Sequence, residues 1–415
     1  MNAKVVGQRL FWCIKAEMHR DTKISSCGVI LETYLRYCGP YRMQLGHQTF
    51  VMRKLESIHS VTKTTTESLR DELQKTIFPE DFVLPLNPNF HSSGLVIDEC
   101  MVMHSAQKPL YLVFKNVDST IPHCHVMYKS GDDLRQDQLM LQLLSIMDRI
   151  WKEAGLDMRL TVYKCIATGY NQGLIEIVTE SKTIGEIATE GTQRKNTTLV
   201  KGSLSSKIKG ANTSIGSHVL QDYFLNLIGY HTSNSTPSER KLAIASTEYA
   251  TIVENFWRSC AGSCVSTFVL GIGDRHNDNI MLKNTGHLFH IDYGHIFGNF
   301  KTKWHMKRER SPFVFTPAFK ALIPEDDYPS FLDLSTHAYE VLRTQAMTLY
   351  NLCSMMTTCG IKELQNVEAL AWLHTQLQLE VTSPQASKLL EQKFKQSLNC
   401  KTTQMNDYFH MIKHG

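Results

Sequence analysis

The feature that most constrains this chain is the run Gly273-Asp-Arg-His-Asn-Asp-Asn279, followed thirteen residues after Asn279 by Asp292-Tyr-Gly294. Between them, residues 279–282 and 287–291 read as two strands joined by Lys283-Asn-Thr-Gly286, a hairpin signal. A hairpin holds its two ends side by side, so an amide at 279 and a carboxylate at 292 become neighbours. Phosphoryl transfer needs a divalent metal held by oxygen ligands, plus a polar group to take the acceptor's proton. A lone Asp-to-Asn spacing is more often a polar turn capping a helix. With the Asp-Tyr-Gly in register, Asn279 and Asp292 read instead as ligands for Mg2+.

Around that hairpin, the spacing of apolar residues divides the chain. From residue 4 to about 74, Val6, Leu10, Trp12 and Ile14 recur with a helical period. Pro79, Pro85 and Pro88, with Asn87 and Asn89, break helices, so 77–94 reads as a linker and a new domain is expected from Leu95. Residues 110–114, 159–163 and 173–178 are short β-rich runs. A helix over 134–153 interrupts them, with Leu143, Met147, Ile150 and Trp151 on one face and Asp132 and Asp133 at its N-cap. Segments 189–217 and 232–237 read as mobile loops, 247–270 as a long helix, and everything beyond Tyr328 as helical. The predicted fold is α+β: an all-α segment over 1–76, the linker 77–94, a mixed lobe with an antiparallel sheet over 95–180, and a mostly helical lobe over 181–415.

Composition removes several alternatives. Of 415 residues, 42% are hydrophobic and 20% charged, an ordinary globular balance. No apolar run is long enough to span a bilayer, so a membrane role is expected to be peripheral. The eleven cysteines form no CxxC pair, which suits reduced thiols in the cytoplasm. Net charge is +4, and the stretch 301–310 alone holds five basic residues and one acid, so the whole excess sits there. That implies a local anion site, with no nucleic acid as partner. No GxxxxGK[ST] occurs, which excludes a P-loop.

These motifs together resemble the phosphoinositide 3-kinases, over essentially the whole chain from Leu10-Phe-Trp12 and Lys15-Ala-Glu-Met18 to Met411-Ile-Lys413. In that family the protein-kinase order His-Arg-Asp is inverted, as in Asp274-Arg275-His276, and Gly131-Asp-Asp-Leu-Arg-Gln-Asp137 matches residue for residue. The resemblance implies a two-lobed, protein-kinase-like fold after the helical segment, with ATP and Mg2+ as cofactors. It implies that His276, whose type titrates near neutrality, assists proton removal from the inositol hydroxyl, with Asp274 beside it. Lys129 would offset phosphate charge. Ser105 and Lys108, in the loop Met103-His-Ser-Ala-Gln-Lys-Pro109, would grip phosphate. Glu176 and Val178 match the hinge that meets adenine. Met103, Met281 and Ile291 match the residues that sandwich the ring, and Asp137 and Tyr163 those deep in its pocket.

The cluster Lys301, Lys303, Lys307, Arg308 and Arg310 follows Asp292-Tyr-Gly294, where an activation loop belongs, and its cations suit head-group phosphates. It resembles the class I enzymes, which implies phosphatidylinositol 4,5-bisphosphate as substrate at a membrane surface. The chain starts within the family's helical part, so a regulatory subunit or small GTPase is an expected partner only if further N-terminal domains exist. Two departures stand out. Tyr293 replaces the usual phenylalanine and leaves the metal ligand in place, while Asp407 stands where a tryptophan is common in the lipid-touching tail, which argues against insertion of that tail. The other readings are a related Ser/Thr protein kinase, opposed by the basic run, and a catalytically silent scaffold, opposed by the presence of Lys129, Asp274, His276, Asn279 and Asp292. The governing expectation is that the groups at 129, 279 and 292 converge around a nucleotide's phosphates.

Overall fold

The computed structural model describes residues 3–18, 24–62, 65–105, 107–198, 217–230, 236–300, 302–303, 306–307, 311–365 and 367–400. The chain is α+β and divides into two compact units, one formed by 1–141 with 163–179, the other by 142–162 with 180–415.

The first unit opens with four helices, α1 (Ala3–Glu17), α2 (Ile24–Tyr37), α3 (Tyr41–Val61) and α4 (Thr66–Lys75). They precede strands β1 (Phe82–Leu84), β2 (Asn87–Leu95), β3 (Met101–Val102), β4 (Leu110–Asn116) and β5 (Cys124–Ser130). Helix α5 (Arg135–Glu153) begins here, and β6 (Cys165–Gly169) and β7 (Gln172–Glu176) complete a seven-stranded sheet in the order β1-β2-β4-β5-β7-β6, with β3 on β4. Every pairing is antiparallel. Helices and sheet share one core, in which Trp12, Leu45, Leu55 and Leu69 pack with Phe82, Leu112, Phe114 and Tyr128.

A buried polar chain ties α1 to the turn after β1. The Gln8 amide donates to the carbonyls of Leu84 and Pro85 at 2.9 and 2.8 Å. Its oxygen accepts from Gln48 at 2.7 Å and from the Tyr41 hydroxyl, and Gln48 accepts from the Trp12 indole at 2.8 Å. Each buried group is thereby satisfied at its cheapest, by another protein group rather than lost water.

Three expectations are corrected. Residues 82–95, read as part of a linker, form β1 and β2. Pro85 lies in the turn between them and Pro88 where their register is irregular, places in which a missing N–H breaks no ladder. The strand expected over 159–163 is absent and β6 starts at Cys165. Arg159 has φ 46°, outside any strand, in a turn where Asp157 accepts its amide at 3.0 Å. Residues 189–198, read as loop, belong to helix α6 (Ile184–Thr198), which Thr183 and Glu186 start by bonding each other's amides at 3.1 and 2.7 Å. Of the expected loops, 199–216 and 232–235 lie outside the described residues.

The second unit pairs β8 (Ser181–Thr183) with β9 (Ile280–Lys283), which pairs with β10 (Leu288–His290). Helices α7 (Ser217–Leu227), α8 (Pro237–Ile244) and α9 (Thr247–Leu270) come before that hairpin. After it come β11 (Thr302–Lys303), β12 (Met306–Lys307), α10 (Pro317–Leu322), α11 (Tyr328–Thr344), α12 (Ala346–Met356), α13 (Val367–Leu377) and α14 (Ser383–Leu398). Helix α9 has the bounds its sequence predicts. Every residue from 259 to 270 is buried, as an axial helix requires, and small side chains let neighbours approach: a Cβ on Gly262 would lie 2.9 Å from Met158 and Leu160.

Gly173 of β7 faces Lys129 of β5, and a Cβ there would stand 2.2 Å from the carbonyl oxygen of Ile166, which is main chain and cannot turn aside. Gly173→Ala is therefore expected to cost about 2 kcal/mol of stability by overpacking. Urea unfolding measures this, and an unchanged midpoint would show that the sheet yields without cost.

Candidate active site

In the first unit, the alternation of β5 sets Lys129 apart from the core. Tyr128 is fully buried, so Lys129 projects from the opposite face. Its ammonium lies 3.4 Å from Asp132 Oδ2, and Asp132 Oδ1 accepts from the Gln107 amide at 2.5 Å. Asp132 thus ties Lys129 to the loop between β3 and β4. That loop is a tight one: Met103 donates its amide to Pro109 at 2.9 Å and Lys108 donates to Ser105 at 3.1 Å, with Lys108 at φ 47°. Ser105 and Lys108 are both exposed on it.

Asp137 sits in the first turn of α5, whose start Asp133 caps by accepting the Arg135 amide at 3.2 Å. Burial pushes the Cys165 thiol well up, Asp137 adds to that and Lys129 opposes it, which places both charged groups near one sulfur. Tyr163 is buried just before β6. Glu176 ends β7 with its carboxylate turned onto the Lys164 amide at 2.8 Å, and Val178 lies two residues on, past the amide of Ile177, which donates to His125 at 2.9 Å.

In the second unit, α9 ends at Gly271, which is left-handed (φ 58°, ψ 43°). A Cβ at Gly271 would stand 2.4 Å from the Gly298 nitrogen and 2.6 Å from the Trp372 ring, so only glycine fits. The loop from Gly273 to Asn279 follows, carrying Asp274 and His276. Arg275 holds it together. The residue is 6% exposed, and its guanidinium donates to the carbonyls of Gly273 (2.8 Å), Asn279 (3.4 Å) and Ile291 (2.6 Å), and also to that of Asp292. Loop and both ends of the hairpin are gripped by one cation.

The Asn279 amide donates to the Asp274 carbonyl at 2.9 Å, which fixes the sense of the amide and turns its oxygen the other way. Ile291 donates its amide to the Asn279 carbonyl at 3.1 Å, so the pairing continues past β9 and β10 and brings Asp292 beside Asn279. The Asp292 carboxylate is exposed, with one oxygen accepting from Gly294 at 3.3 Å. Among the described residues no three His, Cys, Asp or Glu side chains form a metal cage. An amide oxygen and one carboxylate suit Mg2+, which keeps waters and takes substrate phosphates instead of a full protein cage. Met281 and Ile291 share a face of the hairpin by register, both half-buried.

His276 is buried, and its Nδ1 accepts the Asp278 amide at 3.3 Å, so the neutral ring carries its proton on Nε2. Taking a proton at Nε2 requires the other tautomer, for which the Asp278 carboxylate lies 3.8 Å from Nδ1. Behind the hairpin, burial and Arg275 hold His290 down at about 3, so it stays neutral as part of the packing. Of the basic cluster, Lys303 lies on β11 and Lys307 on β12, while Lys301, Arg308 and Arg310 fall outside the described residues.

Sequence reasoning missed Asp132, Asp278 and Arg275 as supports. Asp132 and Asp278 stood inside quoted motifs, and Arg275 between two residues given roles. Arg275→Lys keeps the charge and loses the fork, so it is expected to destabilise the fold by about 3 kcal/mol. Urea denaturation checks this, and a loss no larger than that of a surface Arg→Lys change would show the clasp to be dispensable.

With the geometry in place, comparison with known proteins is direct. The family model for phosphatidylinositol 3- and 4-kinase matches residues 123–366. Phosphatidylinositol 3-kinase 2 of Dictyostelium discoideum is 38% identical over 100% of this chain and 21% of its own length, and phosphatidylinositol 3-kinase 1 of the same organism is 37% identical over 99% and 25%. The human phosphatidylinositol 4-phosphate 3-kinase C2 domain-containing subunit beta is 33% identical over 98% of the chain and 24% of its own length. The chain thus spans between a fifth and a quarter of each of these relatives. Matched by that model over 123–366, a range that takes in the loop 273–279 and the hairpin after it, this chain belongs to the phosphatidylinositol 3- and 4-kinase family.

Proposed function

We propose that this chain is the catalytic part of a phosphoinositide 3-kinase that moves the γ-phosphoryl group of Mg·ATP to the 3-hydroxyl of an inositol lipid. The observation that carries the reading is the clasped hairpin, with an oriented amide at Asn279 beside an exposed carboxylate at Asp292. Bound Mg2+ would supply charge neutralisation on the phosphates. Asn279 and Asp292 give it oxygens, Lys129 offsets further phosphate charge, and Ser105 and Lys108 grip the phosphate from their loop. Glu176, Val178, Met103, Met281 and Ile291 take the adenine, with Asp137 and Tyr163 at its far edge. His276 takes the proton of the attacking hydroxyl, and Asp274 holds Asn279 through its carbonyl.

The substrate we assign is phosphatidylinositol 4,5-bisphosphate, with the 3,4,5-trisphosphate as product. Its support is the density of cations in Lys301, Lys303, Lys307, Arg308 and Arg310, which suits a head group with several phosphates. No helix among the described residues is long and apolar enough to cross a membrane. We assign its work to the cytoplasm, with the bilayer met peripherally where the substrate lipid lies.

Transfer of radiolabel from ATP to vesicles carrying phosphatidylinositol, its 4-phosphate or its 4,5-bisphosphate tests both levels. Asp292→Ala is expected to lower incorporation at least about a thousandfold, the scale of a lost transition-state charge partner. Equal labelling by both proteins removes the metal assignment. Efficient labelling of phosphatidylinositol or the 4-phosphate, with the bisphosphate ignored, removes the substrate assignment and leaves the kinase.

A further inference from the structure

Helix α1 makes a contact that the reading above does not use. Arg135, the first residue of α5, sends Nε and Nη2 to the two oxygens of Asp133 at 2.8 and 2.5 Å, and Nη1 to Glu17 Oε1 at 2.6 Å. The pair is largely withdrawn from water, with 13% of the Arg135 side chain and 27% of that of Glu17 exposed. Beside Glu17, Ala16 packs on Leu134 and Ala167, flanked by Cys165 and Ile175. Cys13 Sγ lies 3.9 Å from the amide nitrogen of Gln138, whose oxygen accepts the Ala167 amide at 2.9 Å. Residues 13, 16 and 17 share one helical face, so that face of α1 is laid along the start of α5 and on β6.

The run it touches is the one that carries the nucleotide residues. Asp132, the partner of Lys129, comes just before Asp133, and Asp137 lies in the same first turn of α5. Two carboxylates, Asp133 and Glu17, share one guanidinium, and only Glu17 comes from outside the run. Removing Glu17 leaves the local Arg135–Asp133 pair and the packing of Ala16, and takes away the ionic tie to α1. Removing Arg135 takes the shared cation from both Glu17 and Asp133.

We infer that Glu17 and Arg135 are positioning residues for nucleotide binding: through their ion pair, α1 holds the start of α5, and with it Lys129 and Asp137, in the arrangement that receives ATP. The inference rests on the proposed kinase reading of that run. It makes the helical segment a participant in ATP affinity, so whatever displaces α1 would be felt at the nucleotide.

Calorimetric titration of Mg·ATP into the full chain, with steady-state kinetics on lipid vesicles, tests this for the wild type, Glu17→Gln, Arg135→Gln and the double variant. Glu17→Gln is expected to raise both Kd and KM for ATP about fivefold with kcat at saturating ATP held, and to add nothing in the Arg135→Gln background, as residues acting through one contact do. A purely structural role would instead lower kcat with the active fraction and leave KM unchanged. That result overturns the inference, as does a Glu17→Gln protein with unaltered Kd, or equal losses in both backgrounds. Glu17→Gln decides the matter alone should Arg135→Gln fail to fold. A wild type that binds no Mg·ATP refutes the kinase reading itself, a distinct outcome from wild-type binding that Glu17→Gln does not weaken.

Discussion

One buried guanidinium organises the second unit's site. Arg275 meets four main-chain carbonyls, two at the hairpin's far end, one at its near end and one in the loop before it. A buried cation needs compensation, and here four oriented carbonyl dipoles contribute to it. The choice matters for function. Arg275 binds the carbonyl of Asp292, not its side chain, so the carboxylate stays exposed to meet a ligand. The clasp also explains how two aspartates, Asp274 at φ 55° and Asp292 at φ 61°, keep a left-handed backbone. Such residues cost on the order of 1 kcal/mol each and persist where surrounding bonds over-determine them.

That site is delivered by packing that tolerates no side chain. Gly271 and Gly298 meet each other and the ring of Trp372, where a Cβ on Gly298 would stand 2.1 Å from the indole. Phe300 adds an edge-on contact to the same ring at 5.4 Å. The indole nitrogen of Trp372 is buried without a partner, a cost of roughly 1–3 kcal/mol. Its retention says that the ring's shape, filling the gap between two glycines, outweighs its unmet polarity. The segment that runs on into the basic residues is thereby anchored at its start, close behind the exposed carboxylate.

Legibility in the sequence followed the kind of constraint each element obeys. Helix α9 and the β9–β10 hairpin were readable because a local rule fixes each: a serine cap and a left-handed glycine for the helix, a four-residue turn for the hairpin. β1 and β2 were hidden by prolines that signal breakage in general but sit where these strands make no ladder bond. The stretch 159–163 looked like a strand by residue type, yet Arg159 bonds Asn255 at 2.6 Å and pairs with Glu254 at 3.1 Å, so tertiary contact overrode propensity. At the candidate site, spacing alone pointed to Asn279 and Asp292, and the other assignments came from the family resemblance. The supports went unread, because Arg275 works through carbonyls and Gly173 through the absence of a Cβ, and neither leaves a pattern in residue types.

The two arginines within these motifs solve one problem by different means. Arg275 donates to four carbonyls, which take up no proton and bear no net charge. Arg135 is held by the carboxylates of Asp133 and Glu17, groups with charge to screen and protons to gain. A contact of that second kind is adjustable, and it is the one that reaches out of its motif to a separate helix. The loop and hairpin of the second unit are thus joined through main-chain carbonyls, while the run after Lys129 is joined to α1 through charge. A modest change in α1 would be felt at Arg135 through that shared ionic contact, which is the sense in which Glu17 positions the start of α5.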